Sequence, residues 1–165
     1  MGDSKPVIVE TTGTVGYQVA ISAQGPTFYA DEPVELGGQA TGPTPYELLG
    51  GALGACTAMT MQMYARRKSL PLTKVQIAVG HNRDASTGRD HFDRQIYMEG
   101  DLTAEQVTRL MEIAERCPVG RSLMTGADIT SARVMAPPGR AHEKPRDCMH
   151  EPAMERACDE FELTG

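Results

Sequence analysis

One domain of mixed α and β structure is what this sequence predicts, on three observations. Residues alternate at the two-residue period of half-buried strands before position 30 and again between 75 and 99. The run from Leu48 to Ala65 holds eighteen residues without a charge and follows a strong helix start. A second helix opens on its own capping box at Thr103. The length, 165 residues, suits one domain with a real core.

Taken in order, Val7 to Glu10 is a short β-rich stretch. Gly13 to Gly16 turns the chain, and Tyr17, Val19 and Ile21 alternate as a strand. Gln24-Gly25-Pro26 breaks it, and Thr27 to Tyr29 returns as the second arm of a hairpin. Glu32 to Pro43 reads as a loop. Thr44 caps the next helix, Pro45 takes its first position, and Glu47 completes a capping box. Gly50, Gly51, Gly54, Thr57, Thr60 and Gln62 make this uncharged helix too polar for a membrane span; it reads as a central helix, covered on most sides by its own fold or by a partner chain. Gly50, Gly54 and Ala58 recur every four residues and would admit a second backbone. Arg66, Arg67 and Lys68 suit its C-terminal end, and Pro71 marks the stop.

Val75, Ile77 and Val79 form a strand, His81 to His91 a polar tip, and Phe92 to Glu99 the returning strand. Val107, Leu110, Met111 and Ala114 share one face of the second helix. Pro118 interrupts that helix or begins another. Asp128 to Val134 reads as a last strand, which ends a body of residues 1–134. Residues 135–165 carry four prolines and a net charge of −3, from four basic and seven acidic residues. They read as an appended acidic tail, with a short helix around Ala153 to Phe161.

Composition excludes several functions. Sixteen Lys and Arg against 22 Asp and Glu give a net charge of −6, which speaks against a nucleic-acid partner. The N-terminus has no apolar signal core, so the expected location is cytoplasmic, with reduced thiols. Four cysteines are too few for a disulfide scaffold. In the tail, His142, Cys148, His150 and Cys158 are zinc-binding types, but their spacing fits no strong zinc pattern and no metal or cofactor is expected. His81 and His91 flank a polar hairpin tip and carry no assigned role.

The body cysteines are Cys56, inside the uncharged helix, and Cys117, at the break before Pro118. A buried free cysteine is ordinarily inert packing. At Cys117 the sign of the field is open: ending the preceding helix disfavours a thiolate, whereas capping a following helix favours one. Arg116 and Arg121 stand near it in sequence.

Read together, Gly37-Gly38, Gly42-Pro43-Thr44-Pro45, the run Glu47 to Thr60 with its Cys56, Met63 to Lys68, Gly100-Asp101-Leu102, Glu105-Gln106 and Arg116-Cys117-Pro118-Val119 resemble the OsmC/Ohr family, in its order and spacing, from about residue 14 to 134. The likeness is closer to the OsmC-like branch than to the organic hydroperoxide resistance branch. The resemblance implies an α+β fold, with curved antiparallel sheets around two central helices, built as an intertwined homodimer with active sites at the interface. It implies a thiol-dependent reductase of organic hydroperoxides, served by an external dithiol. Cys56 matches the peroxide-attacking cysteine and Cys117 the resolving one. Leu53, Met59, Met63 and Phe28 are candidates for an apolar wall.

Two departures from the family pattern stand out. The peroxidase branch holds its thiolate with an arginine from the N-terminal strands, and no arginine precedes Arg66 here. The branch places a glutamate ten residues before the reactive cysteine; that position is Tyr46, and Glu47 is the nearest carboxylate. A non-catalytic small-molecule-binding protein, or a redox sensor with the tail as docking segment, is the alternative function.

Overall fold

A computed structural model of the chain describes residues 6–13, 15–23, 25–138, 156 and 158–159. These fall into two compact units, one of residues up to Leu48 with the stretch from Ile129, the other of Leu49–Asp128 with the described residues near the C-terminus.

The first unit holds a three-stranded antiparallel sheet of β1 (Ile8–Thr11), β2 (Val19–Ser22) and β3 (Phe28–Ala30), in that order. Val9 faces Ile21, and Ala20 faces Tyr29. The expected loop follows, with a 3-10 turn at Val34–Leu36 inside it. Asp31 organises this loop. It is 2% exposed, and its carboxylate accepts hydrogen bonds from the backbone of Glu32 (2.9 Å), Gln39 (3.0 Å) and Thr41 (3.3 Å) and from Thr41 Oγ1 (2.8 Å). The wrap is tight enough that a Cβ at Gly38 would collide with the Glu32 carbonyl, and one at Gly42 with the Tyr29 carbonyl. That steric demand explains the glycines of the Gly-Pro segment.

Helix α1 (Pro45–Arg67) begins on the predicted capping box: Glu47 N–H donates to Thr44 Oγ1 (3.3 Å), and Thr44 N–H donates to Glu47 Oε2 (2.7 Å). It ends at Ser69, which takes a left-handed conformation (φ 51°) while Leu70 N–H reaches back to the Ala65 carbonyl at 2.8 Å. That six-to-one bond satisfies a carbonyl the helix end leaves free.

In the second unit, β4 (Leu72–Arg83) and β5 (Asp90–Gly100) form one antiparallel hairpin. Val75 pairs with Met98, Ile77 with Ile96, Val79 with Arg94 and His81 with Phe92, all on one face. Helix α1 lies against this face. Gly50 and Gly54 make room for side chains of the strand: a methyl at Gly54 would sit 3.3 Å from Val79 Cγ2. Helix α2 (Ala104–Ala114) carries the Thr103/Gln106 capping box, and α3 (Pro118–Thr125) follows after a short break. One core cluster joins Met61, Tyr64 and Ala65 of α1 to Leu110, Ile113 and Ala114 of α2. A second joins Leu53, Cys56 and Cys117, backed by Val79, Phe92, Val119 and Leu123.

Three sequence expectations need correction or completion. Asp128 to Val134 forms no strand; its residues are exposed, Ile129 to 89%, and no ladder partner lies beside them among the described residues. Of the two outcomes open at Pro118, the structure takes the second: α2 ends at Ala114 and Pro118 begins α3. Arg156, Cys158 and Asp159 are helical, and Cys158 is not solvated. It is fully buried among Met61, Leu110 and Ile113, with Asp159 paired to Arg67 at 2.8 Å. His142, Cys148 and His150 lie outside the described residues. Among the described residues no cluster of metal-ligating side chains occurs, and no helix is long and apolar enough to cross a membrane.

Candidate active site

Cys56 and Cys117 come together at the first turn of α3. Cys117 is the N-cap of that helix, and Pro118 fills the first position, where a missing N–H costs nothing. The next two backbone N–H groups then face sulfur. Val119 N–H donates to Cys56 Sγ at 3.4 Å, and Gly120 N–H donates to Cys117 Sγ at 3.2 Å. A Cβ on residue 120 would stand 3.1 Å from Cys117 Sγ and 3.4 Å from Leu53 Cδ1, so glycine permits this approach. The orientation left open by the sequence is thus settled: Cys117 feels the positive end of the following helix.

Both sulfurs are buried, Cys56 at 2% and Cys117 at 0% exposure, and neither is in a disulfide. The two thiols are coupled, and their ionisation moves in opposite directions. The bond to Cys117, then burial, pushes the Cys56 thiol far up. The bond from Cys56 lowers Cys117 most, burial opposes it, and Thr57, the Gly120 N–H and the charge of Arg94 bring the thiol down to about 6. The two thiols therefore titrate as a pair, and the Gly120 N–H, Thr57 and Arg94 favour its first ionisation.

The sequence reading missed Arg94. Its guanidinium is held at three points: Nη1 donates to Thr57 Oγ1 (3.0 Å) and to the Ala114 carbonyl (2.9 Å), and Nη2 pairs with Glu115 Oε2 (2.9 Å). Its side chain is only 15% exposed. Thr57 Oγ1 lies 2.8 Å from the Leu53 carbonyl and 3.3 Å from Cys117 Sγ, and its single proton can serve either. A signal was present in the sequence. Arg94 is in phase with Phe92, Ile96 and Met98, so the pleat that buries those three also turns an arginine inward.

Glu47 is engaged at the start of α1, nine residues ahead of Cys56. The Thr44 backbone N–H, then its hydroxyl, hold the carboxyl below the usual carboxylate range, so Glu47 is ionised near neutrality. Of the four apolar candidates, Leu53 packs beside the pair. Met63 backs the α1/α2 core, Met59 is 53% exposed, and Phe28 lies on β3. A cavity of about 280 Å³ opens beside the pair, lined in part by Leu53, Gly120, Arg94, His91, Leu123 and Met124.

The sequence matches the family described as OsmC-like protein over residues 37–132. No curated protein matches it. In fold the chain is similar to the OsmC-like protein of Mycoplasma pneumoniae, with 15% identity, a TM-score of 0.63, and coverage of 75% of this chain and 89% of that one. It is similar to an organic hydroperoxide resistance protein of Elizabethkingia anophelis (20% identity, TM-score 0.54, coverage 74% and 90%). It is also similar to the organic hydroperoxide resistance protein OhrB of Bacillus subtilis (20% identity, TM-score 0.52, coverage 71% and 89%).

Proposed function

This chain belongs to the OsmC-like family, and from that premise we propose that it is a cysteine-based reductase of organic hydroperoxides, acting in oxidative-stress defence. The observation that carries the reading is the Cys56–Cys117 pair. Two cysteines 61 residues apart in sequence meet at a single helix start, each accepting a backbone N–H of its first turn. A thiolate is the species that attacks a peroxide, and a second sulfur in contact is what converts a sulfenic acid into a disulfide.

In this reading Cys56 attacks the peroxide and becomes a sulfenic acid, and the alcohol leaves. Cys117 condenses with it to a disulfide, and an external dithiol restores both thiols by exchange. Glu47 was expected in the catalytic set; its bond to Thr44 supports a helix-capping role. The relatives named for organic hydroperoxide resistance support the substrate class. We read residues 1–134 as the functional domain and 135–165 as an extension of it, at work in the cytoplasm. The family match ending at residue 132 supports that division.

A homodimer belongs to the same proposal. Gly51, Ala52, Ala55 and Met59 form an uncharged face of α1 that is left exposed. A helix without a charge on any side is normally covered on most of them.

The test is one equivalent of cumene hydroperoxide added to the reduced protein, followed by thiol counting and peptide mapping. Loss of two thiols to a Cys56–Cys117 crosslink is expected, and the Cys56→Ser protein should show no turnover. Survival of every thiol in excess peroxide would refute the enzyme and leave a small-molecule-binding protein.

A further inference from the structure

We propose that the apolar seam between α1 and α2 is a docking surface whose occupant is this chain's own C-terminal segment, seated by Cys158, and that this docking steadies the end of α2 that anchors the cysteine site. The segment lies beyond the family match, which ends at residue 132. The inference concerns the reduced protein and uses no peroxide chemistry, so it stands apart from the reductase reading.

Two contacts on different elements carry the argument. Cys158 is completely buried, in one cluster with Met61, Tyr64 and Ala65 of α1 and Leu110, Ile113 and Ala114 of α2. The next residue, Asp159, pairs at 2.8 Å with Arg67, the last residue of α1. Arg156, Cys158 and Asp159 are helical, and the two charged residues stay exposed while the thiol is covered. An apolar side chain inward and charged ones outward is the pattern of a helix laid on a protein surface. Charge also fits. Residues 135–165 hold seven acidic against four basic residues, and the end of α1 offers Arg66, Arg67 and Lys68.

The link to the site is short. Ala114 is fully buried in the same cluster as Cys158, and its carbonyl is used twice. It accepts Arg94 Nη1 at 2.9 Å and the Cys117 N–H at 3.3 Å. Glu115, the following residue, holds Arg94 Nη2 at 2.9 Å. With eleven residues, α2 is too short to keep its end ordered by helix propensity, so packing must do it. Part of that packing comes from residue 158, outside the family-matched body. The segment therefore acts at a distance on the turn that carries Cys117, through one cluster and one carbonyl.

The test uses the reduced, full-length protein and has two readouts. In the first, iodoacetamide is added to the native and to the urea-unfolded protein, and labelling of Cys158 is followed by peptide mass. Cys158 should label about a hundredfold more slowly in the native protein, equally at low and high protein concentration. In the second, amide hydrogen exchange is compared between the parent, Cys158→Ala and Cys158→Asp. A carboxylate would be buried without a partner in that cluster and must leave it. Exchange at Leu110, Ile113 and Cys117 should rise about tenfold in Cys158→Asp, stay near the parent's in Cys158→Ala, and be unchanged throughout β1 to β3. Native labelling as fast as in urea would overturn the proposal. Protection that grows with protein concentration would assign the seam to the segment of a second copy and overturn docking within one chain. An unmoved α2 in folded Cys158→Asp, or a rise of equal size in β1 to β3, would remove the link to the site.

Discussion

At the scale of single residues, the opposed ionisation of the cysteine pair must appear in folding stability. Cys117 is lowered in the folded state to about 6, from an ordinary value near 9. A depressed acid stabilises the fold above its unfolded pKa, and that contribution is lost as pH falls through the folded one. Cys56 is raised, so above its unfolded value it opposes folding. The reduced protein should therefore gain stability from pH 6 toward 9 and lose it beyond. Urea midpoints across that range, parent minus Cys117→Ser, check this; a flat difference between 6 and 9 would exclude a native thiolate. Asp31 offers a second case. Burial pushes its carboxyl up, but the bonds from Thr41, Glu32 and Gln39 together outweigh that and hold it below its ordinary value. Its contribution is present above about pH 4 and lost in stronger acid. Asp31→Asn should lower the melting temperature at pH 7 and shrink the difference between the two proteins near pH 2. The cysteines themselves were legible in the sequence, because the words around them are specific. Their electrostatics were not. The sign at Cys117 depends on which side of Pro118 the helix lies. The charge at Arg94 reaches the pair only through a hairpin register and a threonine that local reading treats as packing.

At the scale of elements, the end of α1 is held by a residue poorly suited to it. Ser69 adopts φ 51°, a left-handed conformation that glycine takes without a Cβ clash. Ser69→Gly should therefore raise stability by about 0.5–1 kcal/mol, read from denaturant midpoints at constant slope. A loss instead would mean that the serine side chain supports the turn. Gly54 behaves in the opposite sense. Helix propensity favours alanine there, yet the methyl would meet Val79 Cγ2 at 3.3 Å. Elements whose signals are local were readable in advance. The capping boxes at Thr44 and Thr103 formed as their residue types require, and β4 and β5 followed their alternation. The stretch Asp128 to Val134 failed as a strand for a matching reason. A strand is completed by a partner, and its own alternation says nothing of whether one is present. The helical position of Cys158 had only a weak local signal, and its burial depends on the long-range face formed by Met61, Leu110 and Ile113.

At the scale of the whole molecule, the decisive feature is what α1 leaves uncovered. One face of the helix buries Leu53, Cys56, Thr57, Thr60, Met61 and Tyr64. Around the axis, Gly51, Ala52, Ala55 and Met59 face outward without a charge among them. In a monomer these four residues would be exposed to water, with Gln62 the polar residue beside them. In a homodimer this face would pack against its own copy, and its small side chains would let the two backbones come close. The uncharged run was legible in the sequence; which of its faces the chain covers by itself was not, because that depends on where the hairpin lies. Ala55 is the position to test. Arginine is a good helix former, so Ala55→Arg should leave the folded monomer intact, whereas a charge buried between two copies costs several kcal/mol. Sedimentation velocity at tens of micromolar protein should show the parent as a dimer and Ala55→Arg as a monomer with an unchanged circular dichroism spectrum. A monomeric parent would remove the dimer from the proposal. A variant that stays dimeric would place the interface on another face. Loss of hydroperoxide turnover in a folded, monomeric Ala55→Arg protein would show that the site at Cys56 and Cys117 needs the second copy to work.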